Sequence, residues 1–314
     1  MSAAPPAVVL DGLTRHFGAV RAVDGLRFTV APGELFGIVG PDGAGKTTTL
    51  RMLAGVLRPT SGDATVAGAS VVRQPERVKT HIAYMSQRFG LYTDLTVREN
   101  LDFYADLYRV PRAERAARIE RLYGFSGLAP FADRLAGRLS GGMKQKLGLS
   151  CALIHQPEVL LLDEPTFGVD PISRRDLWLI VHEMVAAGMT TLLSTSYLDE
   201  AERCDRVALL HAGGLLALDT PPALQARLSG RLLAVRTDAP RRARDLLIAL
   251  PFVRDATLFG DALHVALDDP TRDWPTARAA LAGGGVAVLA DGSIEPSLED
   301  VFIAVVRDRE AVHA

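Results

Sequence analysis

Cysteine is scarce in this chain, and that scarcity excludes two kinds of protein at once. Only Cys151 and Cys204 are present, with no CxxC pair and no histidine at metal-ligand spacing. A disulfide scaffold and a zinc site are therefore both excluded, and two small residues packed in a reducing compartment are expected. Charge of one sign is lacking too. The 35 Lys and Arg nearly balance the 37 Asp and Glu, for a formal net charge of -2, and no dense basic block exists. A nucleic-acid binder carries a basic face or stripe, so no nucleic-acid partner is expected. Long apolar runs are absent as well. None approaches the ~18 to 20 residues of a membrane helix; the nearest, Val207 to Leu218, is broken by His211, Gly213 and Gly214. Met1 to Ala7 is rich in Pro and Ala without a basic start, unlike a signal peptide. The reading is a soluble chain that, if it serves a membrane, docks to one.

What is present is an ordinary globular composition, 48% hydrophobic and 23% charged. Its 314 residues allow one large domain and a smaller one. Leu35 to Val39 is an apolar run without alternation, as in a strand buried on both faces, and Val159 to Leu162 and Thr190 to Ser194 read as further buried strands. Val8 to Leu10, Leu26 to Val30, Ala64 to Val66 and His81 to Met85 read as further strands. Leu95 to Arg138 reads as mostly helical, with breaks at Pro111, Gly124 and Pro130. Met143 to His155 and Pro171 to Ala187 read as helices. The pattern changes near Gly230, where strands and helices alternate in a small α+β tail. The expected division is 1–228 and 229–314, with a helical subdomain over about 90–155.

Gly40-Pro-Asp-Gly-Ala-Gly-Lys-Thr47 fits G-x-x-x-x-G-K-S/T position by position, after a strand and before a helix. Gly40, Gly43 and Gly45 let the backbone wrap closely, so that the loop, which also holds Pro41, Asp42 and Ala44, turns its available N–H groups toward phosphate oxygens. The following helix adds the positive end of its dipole. Lys46 reaches the β- and γ-phosphates, Thr47 places a hydroxyl on Mg²⁺, and Thr48 faces the α-phosphate side. Asp163 and Glu164 end a buried strand at the carboxyl edge of the sheet, where phosphates lie. Asp163 suits Mg²⁺ and Glu164 suits polarising an attacking water. The pattern reads as nucleoside triphosphate chemistry with Mg²⁺.

Leu139-Ser-Gly-Gly-Met-Lys-Gln145 resembles the signature motif of the ABC ATPases, with Met143 where Gln is commoner. Its Ser140, Gly141 and Gly142 open a helix and form a second anion cradle. The resemblance covers about residues 8 to 225. It implies an α/β P-loop NTPase fold with a helical subdomain and an antiparallel β subdomain, followed here by the small C-terminal α+β domain. It implies ATP and Mg²⁺, and two cassettes that close head to tail on two ATP, as a homodimer or a heterodimer. A transmembrane permease on a separate chain, peripheral attachment to the inner face of the cell membrane, and an ATPase coupled to transport follow from the same resemblance. By it, Phe17 stacks on adenine, Gln87 touches Mg²⁺ or water and senses the membrane partner, and Asp170 crosses the dimer interface. The segment 88–95 is expected to pass motion to the permease.

One position departs from the family. Ser196 stands where the switch histidine is expected, and no other His lies close. Serine donates a hydrogen bond but reaches less far and carries no charge. Either Glu164 suffices for slow hydrolysis, or this chain supplies a weak site and completes a partner's with Ser140 to Gly142; the second is preferred. Glu295-Pro-Ser-Leu-Glu-Asp-Val-Phe302 resembles the ending of an accessory domain on daunorubicin-type drug-resistance exporter ATPases. Rivals are a soluble ABC ATPase of repair or translation, a non-catalytic ATP-binding subunit, and a P-loop kinase.

Overall fold

The computed structural model describes residues 4–87 and 90–313. From the start of the chain run β1 (Val8–Phe17), β2 (Val20–Val30), β3 (Leu35–Val39), α1 (Lys46–Leu53), β4 (Ser61–Val66) and β5 (Ala69–Ser70). Next come α2 (Pro75–His81), β6 (Ile82–Met85), α3 (Val97–Leu107), α4 (Arg112–Ser126) and α5 (Gly141–Leu153). Then follow β7 (Val159–Asp163), α6 (Pro171–Ala186), β8 (Thr190–Thr195), α7 (Leu198–Ala201), β9 (Arg206–His211), β10 (Gly214–Asp219) and α8 (Pro221–Ala226). The tail holds β11 (Leu232–Thr237), α9 (Pro240–Ile248), β12 (Val253–Phe259), β13 (Ala262–Leu267), α10 (Pro270–Gly283), β14 (Val288–Ser293) and α11 (Leu298–His313).

Two sheets build the first part, one antiparallel in the order β2-β1-β4-β5, the other in the order β10-β9-β3-β8-β7-β6. In the second, β3 pairs in parallel with β8 and β9, and β7 pairs in parallel with β6 and β8. Every residue of β3, β7 and β8 is buried; β3 and the first four residues of β7 are accordingly unbroken apolar runs, while β8 carries Thr190, Thr191, Ser194 and Thr195 among its buried residues. Their parallel arrangement brings the ends of β3, β7 and β8 to one edge. A third sheet, β12-β13-β11-β14, has its own core of Val235, Leu247, Leu263, Val265 and Leu281. The whole is the expected α/β architecture with an antiparallel sheet, a helical segment and a small C-terminal α+β part.

The chain divides into two compact units, Met1–Glu200 with Cys204–Leu215, and Ala201–Arg203 with Leu216–Ala314. The division falls inside β10, earlier than the change of pattern near Gly230, because α8 packs on α11. Several expected boundaries move. β1 and β2 are longer than Val8 to Leu10 and Leu26 to Val30, since they pair as a hairpin down to Phe17 and Val20, with bulges on the way. Gly124 does not break α4; the helix runs on to Ser126, and Gly127 at φ 67° caps it. His81 ends α2 and not a strand.

Candidate active site

The loop from Gly40 to Gly45 lies between β3 and α1. A Cβ on Gly40 would collide with the carbonyl of Leu210, and one on Gly45, at φ 100°, with that of Ala22. Glycine is required there by close backbone approach, which leaves an open backbone concavity. The N–H groups of Lys46, Thr47 and Thr48 are the first three of α1 and have no carbonyl partner within the helix. They are therefore available to an anion.

Lys46 is 4% exposed. Its Nζ donates to the carbonyls of Gly40 at 2.7 Å and Pro41 at 3.1 Å, and pairs with Glu164 Oε1 at 3.1 Å. So the loop lysine and the acidic residue, far apart in sequence, meet as a buried ion pair. Glu164 has φ 48°, an uncommon conformation for a residue with a side chain. Its N–H is held by the carbonyl and Oγ of Ser194, both at 3.1 Å. Gln87 Nε2 approaches Glu164 Oε2 at 3.5 Å.

Asp163, 1% exposed, is ringed by hydroxyls. Its Oδ1 accepts from Thr47 at 2.9 Å and from Ser194 at 2.7 Å, and its Oδ2 accepts from Tyr84 at 3.3 Å. Burial, and then the charge of Asp163, push the Tyr84 phenol up to about 12, so it stays a neutral donor at ordinary pH. Among the described residues no group of three or more His, Cys, Asp or Glu gathers as for a transition metal. One carboxylate with a hydroxyl beside a phosphate cradle is the oxygen donor set that suits Mg²⁺, which takes few protein ligands and shares phosphate oxygens. Asp163, Thr47 and Gln87 fit it.

A cleft of about 570 Å³ joins Lys46, Thr47, Gln87 and Glu164, and is lined also by Phe17, Val20, Asp42 and Thr48. Phe17 is 48% exposed and has the Arg15 guanidinium 4.6 Å from its ring centre. One face is covered and the ring is offered at the mouth of the cleft.

Other candidates do not line this cleft. Ser140, Gly141, Gly142, Asp170 and Ser196 are absent from its wall, and Gly40, Pro41 and Asp163 adjoin it through hydrogen bonds with Lys46 and Thr47. Ser140 caps α5, its Oγ accepting from Met143 N–H at 3.3 Å. Asp170 caps α6, its Oδ1 accepting from the N–H groups of Ile172 and Ser173. Hydrogen bonds from the Ser173 side chain, then its N–H, hold the Asp170 carboxyl below its ordinary range. Gly142 packs so closely on Ser173 that a Cβ would overlap it. Ser196 is half-buried just beyond β8, next to Thr195, whose carbonyl accepts from Gly40 N–H at 3.4 Å. Arg88 and Phe89, which begin the segment 88–95, lie outside the described residues. Ser194 and Tyr84 were not foreseen. Their signal was a Ser at the end of a strand read as buried and a Tyr three residues before Gln87.

Among the described residues no helix is long and apolar enough to cross a membrane. The sequence model of the ABC transporter family matches residues 23–167. The chain is 45% identical, over 94% of its length, to the probable multidrug ABC transporter ATP-binding protein YbhF of Escherichia coli (strain K12). It covers 51% of that protein, about half its length. It is 39% identical to the daunorubicin/doxorubicin resistance ATP-binding protein DrrA of Streptomyces peucetius, over 95% of this chain and 92% of DrrA. A solved ATP-binding subunit of an ABC transporter superposes with a TM-score of 0.64 at 31% identity, over 70% of this chain and 92% of that one. The loop, the acidic pair and these likenesses agree: the chain belongs to the ATP-binding proteins of the ABC transporter family.

Proposed function

We propose that this chain hydrolyses ATP to power an exporter whose membrane-spanning permease is a separate polypeptide. One observation carries the reading. The loop lysine, Glu164 and Thr47 converge on one cleft, with Asp163 hydrogen-bonded to Thr47 at its edge, while the second cradle at Ser140 to Gly142 does not line it. A second cassette that docks head to tail brings the outlying cradle to the γ-phosphate, with Asp170 at the join. Residues 1–228 act as the ATP-binding domain and 229–314 as an accessory domain. The chain works in the cytoplasm, peripheral on the inner face of the membrane.

In this reading Gly40 to Thr48 hold the phosphates and Phe17 stacks on the base. Glu164 orients the attacking water, with Gln87 beside it. Mg²⁺, when bound by Asp163 and Thr47, neutralises phosphate charge. Lys46 exchanges Glu164 for phosphate oxygens, which frees the carboxylate to accept a proton. Export is the direction that the drug-resistance relatives favour.

Ser196 supports a second reading, in which the chain hydrolyses little and completes the site of a partner cassette that carries a histidine. Turnover of the purified chain over a concentration series, with Lys46→Ala as the blank, separates the two. Turnover that rises faster than concentration and vanishes in the blank is expected of a working homodimer. ATP binding without turnover favours the partner cassette. Absence of ATP binding would overturn both.

A further inference from the structure

Glu200 is 1% exposed and does not line the nucleotide cleft. A buried carboxylate is costly unless it is paired and hydrogen-bonded, so its partners define its use. Its Oε2 accepts from Thr166 Oγ1 at 2.8 Å and from Thr195 Oγ1 at 3.0 Å. Its Oε1 lies 3.5 Å from Arg174 Nε. The Arg174 guanidinium also sits 4.8 Å from the centre of the Tyr197 ring. Thr195 Oγ1 in turn accepts from Tyr197 N–H at 3.0 Å.

The positions of these partners are what matter. Thr166 is two residues past Glu164, and its carbonyl accepts from Val169 N–H at 3.1 Å, just before Asp170. Arg174 lies in the first turns of the helix that Asp170 caps. Thr195 immediately precedes Ser196. One carboxylate thus holds the three segments that carry Glu164, Asp170 and Ser196, and it touches none of those residues through a hydrogen bond of its own.

We propose that Glu200 is a positioning residue that clamps these three segments together, so that the acidic loop, the start of α6 and the turn after β8 keep a common spacing. The inference rests on the nucleotide-hydrolysing reading only for its effect on turnover. Hydroxyl bonds to an ionised acceptor are short and strong, and both threonines have stiff, short side chains. The hydroxyl side of the clamp is therefore rigid. The arginine side is looser, since among the described residues neither Oε1 nor Arg174 Nε has a hydrogen-bond partner. A small shift of α6 closes that gap, so displacement at Asp170 is registered at Thr195 through a single side chain.

Hydrogen exchange on the full chain tests this with peptides over 163–175 and 190–203. Thr166→Val and Thr195→Val each remove one hydroxyl with little change of shape, and Glu200→Gln removes the charge. Thr166→Val is expected to speed exchange in 190–203, and Thr195→Val in 163–175, on the order of tenfold. Exchange in 232–267 stays unchanged. Where the wild type turns over, all three variants lower kcat on the order of tenfold and leave KM and nucleotide affinity within about twofold. Exchange altered only in each variant's own peptide, or a loss of thermal stability with KM and kcat moving together, means ordinary packing and overturns the proposal. A wild type that binds no ATP overturns the nucleotide reading instead, and the cross-segment exchange still decides the clamp.

Discussion

Ser196 and Tyr84 carry different weight. Ser196 is half-buried at the end of β8, and its hydroxyl is shorter than an imidazole by several bonds. Ser196→His is expected to raise turnover on the order of a hundredfold, the lower end of what a positioned acid–base group contributes; an unchanged rate measured at saturating ATP means Glu164 and its neighbours already suffice. Tyr84 matters through Asp163. Its folded-state pKa is raised from 10.0 to about 12. The stability linked to it is fully present below pH 10 and is lost as pH climbs toward 12. Burial raises Tyr104, Tyr108 and Tyr123 too, so the alkaline loss is shared. Tyr84→Phe is expected to lose urea-midpoint stability less steeply between pH 9.5 and about 11.5 than the wild type; parallel curves would refute the assignment. At this scale Lys46, Asp163 and Glu164 were legible, because each stands in a contiguous motif whose geometry is local. Ser194 and Tyr84 lie 31 and 79 positions from Asp163, and nothing local announces that they meet it.

Helix ends show how much an element's own sequence decides. Asp170 before Pro171 and Ser140 before Gly141 are N-caps readable from residue type, and both are made. The thirteen residues of α5 were expected to start at Met143; they start at Gly141, since the cap lies at Ser140. Gly142 has a role no local rule supplies. It is the point where α5 meets α6, and a Cβ there would overlap Ser173. Gly142→Ala is expected to destabilise the fold by about 1–3 kcal/mol through overpacking, read as a lowered denaturation midpoint. Ser173→Gly in the same chain restores part of the loss. A midpoint unmoved by Gly142→Ala would mean that the two helices separate at little cost. The hairpin of β1 and β2 was underestimated for a related reason: its bulged stretch breaks the alternation that marks a strand, while pairing still carries Phe17 to the mouth of the cleft.

For the whole molecule, the two units have different claims on function. The first holds the loop, the acidic pair and the segments clamped by Glu200. The second has its own sheet and its own core around Val235, Val265 and Leu281, and its alternating strands and capped helices were readable near Gly230. The sequence by itself determined the phosphate-loop and acidic-pair motifs, their order along the chain and the α/β class. Phosphate recognition uses consecutive backbone N–H groups and a helix end, and buried parallel strands carry their burial in their composition. Only the tertiary structure decided that Lys46 pairs with Glu164, that three hydroxyls ring Asp163, and that Glu200 joins Thr166 to Thr195. Those contacts act over about 3 Å between residues distant along the chain, and chain topology alone brings them within range.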